Sequence, residues 1–170
     1  YCCLLSCIVF AQAGNDVQQF AGNKANTYAV VVGISSYSEK EIPALQFAHK
    51  DAHAFAAFLH SKAGGSVPVD NIRLLVDSQA TMAAVYQSLD WLLGVSGKDD
   101  IVYIFFAGHG DMENTTLYKL GFLLTANTPP HNYINHSLRI EDLNNYANTL
   151  SVKNQSKVVL ITDACRSGKL

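Results

Sequence analysis

Two unbroken apolar runs, each followed at once by a polar turn, constrain the fold of this chain more than any other feature. The first run, IVYIFF, leads into AGHG at residues 107–110, and the second, VVLI, leads into TDACRSG at residues 162–168. Short continuous apolar runs of this kind predict strands buried on both faces of a parallel sheet. Open α/β sheets carry their functional groups where such strands end. We therefore expect the chemistry of this protein at the carboxyl ends of these two strands.

Each strand is followed by a residue with catalytic potential, His109 after the first and Cys165 after the second. Neighbouring parallel strands lie about 4.8 Å apart, so adjacent strands would bring the two side chains together. An imidazole beside a thiol lowers the thiol pKa and can then protonate a leaving amine. Either residue alone is more often structural, and a free cysteine is commonly buried. The pair, with Asp163 and Arg166 as polar neighbours of the thiol, favours catalysis.

The rest of the chain alternates between strand and helix patterns. Strands are predicted at 28–34, 71–76 and 120–124, helices at 45–62, 80–93 and 139–150, a polar hairpin tip at 111–119 and a loop at 125–137. Ser78 or Thr81 can cap the second helix. This alternation predicts an α/β fold with a mostly parallel sheet, right-handed crossovers and flanking helices.

Composition excludes several classes of function. The 170 residues suit one domain, and the net charge of −2 with dispersed basic residues gives no reason to expect nucleic acid or an anionic membrane as a partner. No strand is followed by a glycine-rich phosphate-binding motif, which argues against a nucleotide-binding domain. His49 and His53 have the i, i+4 spacing of metal ligands, but HExxH and a third ligand are absent, so a solvated helix edge is favoured over a metal site.

The amino end has the pattern of an export signal. Residues 1–13, YCCLLSCIVFAQA, are apolar, too short to span a bilayer, and end in the A-x-A pattern of a signal-peptide cleavage site. We expect a partial signal peptide at 1–13, a polar tether at 14–26, a catalytic domain at 27–170 and an exported protein. Lipidation of Cys7 is the alternative. Cleavage after Ala13 would leave Cys165 as the single cysteine, which favours a reactive thiol.

Four segments together resemble the caspase-like cysteine peptidases, peptidase family C14, and most closely the metacaspase and bacterial caspase-homologue branch. They are YAVVVGISSY, LQFAHKDA, YIFFAGHGD and VVLITDACRSG, within residues 28–168. The resemblance implies a three-layer caspase-like fold and peptide-bond cleavage through an acyl-enzyme intermediate. It implies that His109 is the general base and acid, that Cys165 is the nucleophile, and that the backbone N–H groups of Gly110 and Cys165 form the oxyanion hole.

The resemblance also implies a substrate class. Asp51 and Asp163 match the positions where metacaspase-like peptidases line an S1 pocket for basic residues. Animal caspases have glutamine at the position of Asp163, and they carry an arginine shortly before the position of Asp51, where this chain has none. We therefore expect protein or peptide substrates cleaved after Arg or Lys. The alternative is a catalytically idle caspase-like domain that acts as a scaffold or binding module.

Two further expectations follow from the family pattern. The carboxylates between the His and Cys motifs do not form a clear calcium-binding cluster, so no cofactor is expected and calcium dependence is left open; they are Asp111, Glu113, Glu141 and Asp142. Caspase-like folds continue with a small-subunit region after the nucleophile. The chain is thus expected to be the large-subunit portion, truncated at its carboxyl end.

Overall fold

Parallel strands form the main sheet of the computed structural model, which describes residues 25–113, 116–130 and 132–164. In chain order, the helices and strands of these residues are β1 (Thr27–Gly33), α1 (Ala48–His60), β2 (Ile72–Val76), α2 (Met82–Val95), β3 (Ile101–Ala107), β4 (Gly110–Met112), β5 (Gly121–Leu124), β6 (Ser137–Arg139), α3 (Ile140–Val152) and β7 (Lys157–Asp163). The main sheet has the order β2-β1-β3-β7, and every neighbouring pair is parallel. The parallel sheet predicted from the sequence is confirmed.

Helices cover both faces of this sheet. One face of β1 and β3, which includes Val30 and Ile104, packs into a core with α2 and α3. The opposite face, which includes Val31 and Phe105, packs against α1. Successive side chains of a strand point to opposite faces, so strands rich in Val, Ile and Phe can serve both cores. The result is the three-layer α/β fold expected from the family resemblance.

The end of β1 is in direct contact with the start of α1. A Cβ added to Gly33 would overlap the carbonyl oxygen of Ala48 and the Cβ of Ala52. Only glycine lets the helix approach the strand this closely. Asp51 lies in the first turn of α1, so this contact holds it near the carboxyl ends of the strands.

β7 differs from the prediction of a strand buried on both faces. In the described part of the chain its one strand partner is β3, which makes β7 an edge strand. Val159 and Leu160 are 39% and 37% exposed, and Asp163 at its end is exposed. An unbroken apolar run shows that a strand can be buried, but it does not show that every side of the strand is covered.

A second, antiparallel sheet of order β4-β5-β6 lies between β3 and α3 in sequence. The sequence prediction recognised β5 but assigned β4 to a hairpin tip and the start of β6 to a loop. Both missed strands have three residues, too few for a period-2 pattern to stand out. The observed helix boundaries also differ from the prediction, since α1 begins at Ala48 and not at Leu45. Of the two predicted caps of α2, Thr81 is the one observed, because its side chain accepts the Ala84 N–H at 3.2 Å.

Some predictions concern parts of the chain outside the described residues. These are the signal peptide at 1–13, most of the tether at 14–26 and the nucleophile Cys165. Among the described residues, no helix is both long enough and apolar enough to cross a membrane.

Candidate active site

The carboxyl ends of β3 and β7 are adjacent and in register. Ala107 pairs with Asp163 at the end of the ladder, and the N–H of Gly108 donates to the carbonyl of Asp163 at 3.1 Å. In the sequence, His109 follows Ala107 by two positions and Cys165 follows Asp163 by two positions. Cys165 itself lies outside the described residues. The adjacency of the two strands, on which the predicted pair depends, is therefore observed.

The His109 imidazole is fixed by a main-chain acceptor. Its Nε2 lies 2.8 Å from the carbonyl oxygen of Pro43, in the loop between β1 and α1. A carbonyl can only accept a hydrogen bond, so Nε2 carries the proton in this arrangement. Nδ1 is then the nitrogen with the lone pair, which is the form that can take a proton from a thiol. His109 is half-buried.

Tyr37, in the same loop, holds the main chain of His109. The His109 N–H donates to Tyr37 Oη at 2.8 Å, and the two ring centroids are 5.3 Å apart with planes inclined by 40°. Burial raises the pKa of Tyr37 to about 12; the hydrogen bond from the His109 backbone lowers it and the charge of Asp77 raises it. The Tyr37 hydroxyl is thus neutral throughout the neutral pH range.

The backbone N–H of Gly110, the expected oxyanion donor, points away from β5. Gly110 lies opposite Leu123, and the neighbouring Leu124 N–H donates to the His109 carbonyl at 2.9 Å. This pattern makes Gly110 and Leu123 a non-hydrogen-bonded pair, in which the N–H of each residue is directed outward. Because β4 is the edge of the small sheet, the Gly110 N–H is directed out of that sheet's ladder.

A cavity of about 340 Å³ lies between the start of α1 and the ends of β3 and β7. His109, Asp51 and Asp163 all line it, together with apolar groups that include Leu45 and Phe47. The structure thus brings together three residues that the sequence analysis placed in one site. Both carboxylate side chains are exposed.

A second cavity, of about 500 Å³, lies on the other side of β7, between this strand, the small sheet and α3. Gly110 and Ala164 line it, so it reaches the carboxyl end of β7. Its apolar walls include Leu123 and Leu143, and its charged lining includes Glu141.

The carboxylates considered for calcium have separate partners. Asp111 is buried and accepts hydrogen bonds from the Tyr133 hydroxyl at 2.6 Å and from the Met112 N–H at 2.7 Å, whereas Asp142 accepts the Tyr86 hydroxyl at 2.8 Å. Within the described ranges, no group of three or more His, Cys, Asp or Glu side chains is placed to hold a metal ion.

Sequence reasoning missed the contributions of Tyr37, Pro43 and Asp77. The first two contact His109, and Asp77 accepts the N–H groups of Ser35 and Ser36 at 2.8 and 3.0 Å. The signal that could have identified this region is its position. The loop follows β1, the strand next to β3, so it must leave the sheet at the same edge as His109.

Comparisons with known proteins bear on the family and the fold of this chain. The family model described as "Caspase domain", Peptidase_C14, matches residues 26–170. The fold is similar to that of the protein GSU0716 from Geobacter sulfurreducens, with a TM-score of 0.64 and 18% sequence identity. That alignment covers 85% of this chain and 52% of the other, so the present chain corresponds to about half of that protein. A search of curated proteins found no match. With the family model matching most of its length, the chain belongs to the caspase-domain family of cysteine peptidases, peptidase family C14.

Proposed function

We propose that this chain is the large-subunit portion of a cysteine endopeptidase in which Cys165 is the nucleophile and His109 is the general base and acid. The observation that carries the proposal is the orientation of His109. Its Nε2 is engaged by Pro43, which leaves Nδ1 as the basic nitrogen at the edge where β3 and β7 end together. A histidine held in this way, next to the strand that leads to a cysteine, supports nucleophilic catalysis more directly than it supports a scaffold role.

The reaction follows from these groups. His109 Nδ1 takes the Cys165 thiol proton, and the thiolate sulfur attacks the carbonyl carbon of the scissile bond. The oxyanion that forms is stabilised by the backbone N–H groups of Gly110 and Cys165, each such donor contributing about 3 kcal/mol to transition-state stabilisation. The imidazolium then returns its proton to the leaving amine as the C–N bond breaks. Water, deprotonated by His109, hydrolyses the thioester and regenerates the thiol.

The proposed substrates are proteins or peptides with Arg or Lys at P1. Asp51 and Asp163 place two negative charges in the cavity beside His109, and the apolar lining near Phe47 suits the methylene stem of a long basic side chain. Guanidinium pairs with carboxylates in two-pronged geometry, whereas lysine offers a single point charge. Both carboxylates are exposed, so charge pairing with the basic side chain of the substrate is the proposed source of the preference.

The direct test uses two covalent probes on the full-length protein, acyloxymethyl ketone peptides that differ in having Arg or Asp at P1. We expect the Arg probe to form a thioether with Cys165, located by mass spectrometry of the digested protein, and the Asp probe to react far more slowly. His109→Gln should suppress labelling. An unlabelled Cys165 in the folded full-length protein would favour the alternative, a caspase-like domain that binds partners without catalysis.

A further inference from the structure

Tyr37 contacts both the main chain and the ring of His109. Its Oη accepts the His109 N–H at 2.8 Å, and its ring lies against the imidazole with a centroid separation of 5.3 Å. We propose that Tyr37 is a positioning residue for His109, which sets the direction of Nδ1 toward the nucleophile. The inference rests on the proposed peptidase function, and its test is arranged to separate the two.

The turn before His109 is shaped to receive the tyrosine hydroxyl. A Cβ added to Gly108 would lie 3.1 Å from Tyr37 Oη and 3.0 Å from Cε1 of Phe106. Both distances are shorter than ordinary carbon contacts, so the absence of a side chain at Gly108 permits the approach of the hydroxyl. The hydrogen bond between Tyr37 and His109 therefore depends on close packing of Tyr37, Gly108 and Phe106.

The main chain on both sides of Tyr37 is anchored to other elements. Ser35 and Ser36 donate their N–H groups to Asp77 Oδ1 at 2.8 and 3.0 Å, and Ser38 donates to the Ala126 carbonyl at 2.9 Å. Asp77, just after β2, has a φ of 46°, a left-handed conformation that side-chain-bearing residues seldom adopt. Such strain persists where the surrounding structure imposes it. Tyr37 is thus held by contacts that do not involve His109.

The same loop holds the imidazole at a second point, through the Pro43 carbonyl on Nε2. The loop therefore holds His109 at two points: its main-chain N–H, through Tyr37, and its ring nitrogen Nε2, through Pro43. If Tyr37 Oη is removed, the partly buried His109 N–H loses its acceptor, and the turn must shift to find another. A shift of this kind changes the direction of Nδ1 at the carboxyl ends of β3 and β7. The expected damage is to proton transfer, while Asp51 on α1 and Asp163 on β7, the two carboxylates of the substrate cavity, keep their places.

The substitution Tyr37→Phe leaves the charged groups near Tyr37 and His109 unchanged, which makes a pH experiment on this variant easy to interpret. Among the described residues, the acidic groups that line the cavity beside His109 are Asp51 from α1 and Asp163 from β7, and Asp77 after β2 acts on Tyr37. None of them is altered by the change Tyr37→Phe, which also keeps the aromatic ring. Because burial raises the pKa of Tyr37 to about 12, its hydroxyl stays protonated over the whole range in which a thiol and an imidazole titrate. A change in the pH dependence of Cys165 reactivity within that range therefore reports the titration of Cys165 and His109 and not that of Tyr37.

The experiment compares full-length protein with its Tyr37→Phe variant. The rate of iodoacetamide alkylation of Cys165 is followed by mass spectrometry between about pH 4 and pH 9, and kcat and KM are measured on an Arg-P1 peptide. We expect kcat to fall about 10-fold with KM within about twofold, as for the loss of one hydrogen bond that positions a catalytic group. The pH at which the alkylation rate reaches half of its maximum, here called the alkylation midpoint, should rise toward the ordinary thiol pKa of about 8.5.

A matched control removes a tyrosine hydroxyl elsewhere. The Tyr86 hydroxyl donates to Asp142 at 2.8 Å, between α2 and α3. Tyr86→Phe should leave kcat and the alkylation midpoint unchanged, even if it lowers the melting temperature. Gly108→Ala approaches the same contact from the other side and should reproduce the Tyr37→Phe effects, so it replaces that variant if the latter does not fold.

The outcomes distinguish the two levels of inference. A folded Tyr37→Phe variant with unchanged kcat and an unchanged alkylation midpoint would overturn the role of Tyr37. Failure of both Tyr37→Phe and Gly108→Ala to fold would also overturn it, because the contact would then serve folding alone. An ordinary thiol midpoint in the unaltered protein, unaffected by His109→Gln, would instead refute the proposed peptidase chemistry.

Discussion

Ala107 and Asp163 lie opposite each other as the last paired residues of β3 and β7. One further hydrogen bond, from the Gly108 N–H to the Asp163 carbonyl, extends the pairing beyond the carboxyl end of β3. This register brings the two strands to the same level immediately before His109 on one side and before Cys165 in the sequence on the other. It also places Asp163 in the cavity that His109 lines. A single strand pairing thus supports both the proposed chemistry and the proposed specificity.

The first prediction concerns the two proposed catalytic residues. Cys165→Ala and His109→Ala should each lower kcat/KM on an Arg-P1 peptide by about 10²-fold or more, because one removes the nucleophile and the other the proton carrier. Activity is measured on the full-length protein, and circular dichroism checks that each variant is folded. Turnover by a folded Cys165→Ala variant at the rate of the unaltered protein would contradict the cysteine-peptidase proposal.

Much of the fold could be predicted from apolar patterns because the central strands of the main sheet are unbroken apolar runs rich in Val, Ile and Phe. The central strands β1 and β3 are buried as such runs indicate, for example at Val31 and Phe106. The exposure of β7 could not be predicted in this way, because burial of an edge strand depends on whether another element covers it. The strands β4 and β6 are too short to show a periodicity.

Part of the candidate site could also be predicted from the sequence, and part could not. His109, Asp51 and Asp163 could be predicted as candidates because motifs carry them, and the structure places all three around one cavity. Tyr37 and Pro43 contribute through a hydroxyl that accepts a main-chain N–H and through a main-chain carbonyl. Contacts of this kind depend on the path of a loop, and residue type alone does not reveal them.

A second prediction tests the contact between β1 and α1. Gly33→Ala should lower the free energy of unfolding by about 1–3 kcal/mol, the usual cost of overpacking, since the new Cβ overlaps Ala48 and Ala52. Urea denaturation measures the change. Gly94→Ala is the control: Gly94 lies in α2, where the added Cβ would meet no atom within 4 Å apart from its chain neighbours and the nearby backbone of its own helix, and the change should be neutral or stabilising by about 0.5–1 kcal/mol. Equal effects of the two substitutions would argue against the close packing of α1 on the strand.

A third prediction concerns alkaline stability. Tyr37 has its pKa raised from 10.0 to about 12 in the folded protein, mainly by burial. The unfolded chain releases this proton at lower pH than the folded protein does, so the contribution of Tyr37 is fully present below pH 10 and is lost as pH rises toward 12. Urea denaturation at several pH values should show a shallower alkaline decline for Tyr37→Phe than for the unaltered protein. Identical declines would show that Tyr37 titrates normally.

A fourth prediction concerns the amino end, which we propose is an export signal cleaved after Ala13. Mass spectrometry of the exported protein should find Gly14 as its first residue. Ala13→Phe should retain the precursor, because the cleavage site requires a small residue there. Cys7→Ser should be processed like the unaltered protein, whereas loss of processing in that variant would support the alternative of lipidation at Cys7.

The last prediction concerns the substrate residue that is recognised. Asp163→Asn and Asp51→Asn preserve side-chain size but remove one negative charge each from the cavity beside His109. We expect each to lower kcat/KM for an Arg-P1 peptide by about 10-fold, as for the loss of one charge-assisted hydrogen bond. The effect on a matched Lys-P1 peptide should be smaller, because lysine does not engage two carboxylate oxygens in a planar fork. Asp70→Asn, an exposed aspartate in the turn before β2, is the control and should leave both values unchanged. A positional peptide library decides the question independently. If the unaltered protein prefers Asp at P1, the charge of the cavity does not select the substrate and the proposed role of both carboxylates is wrong.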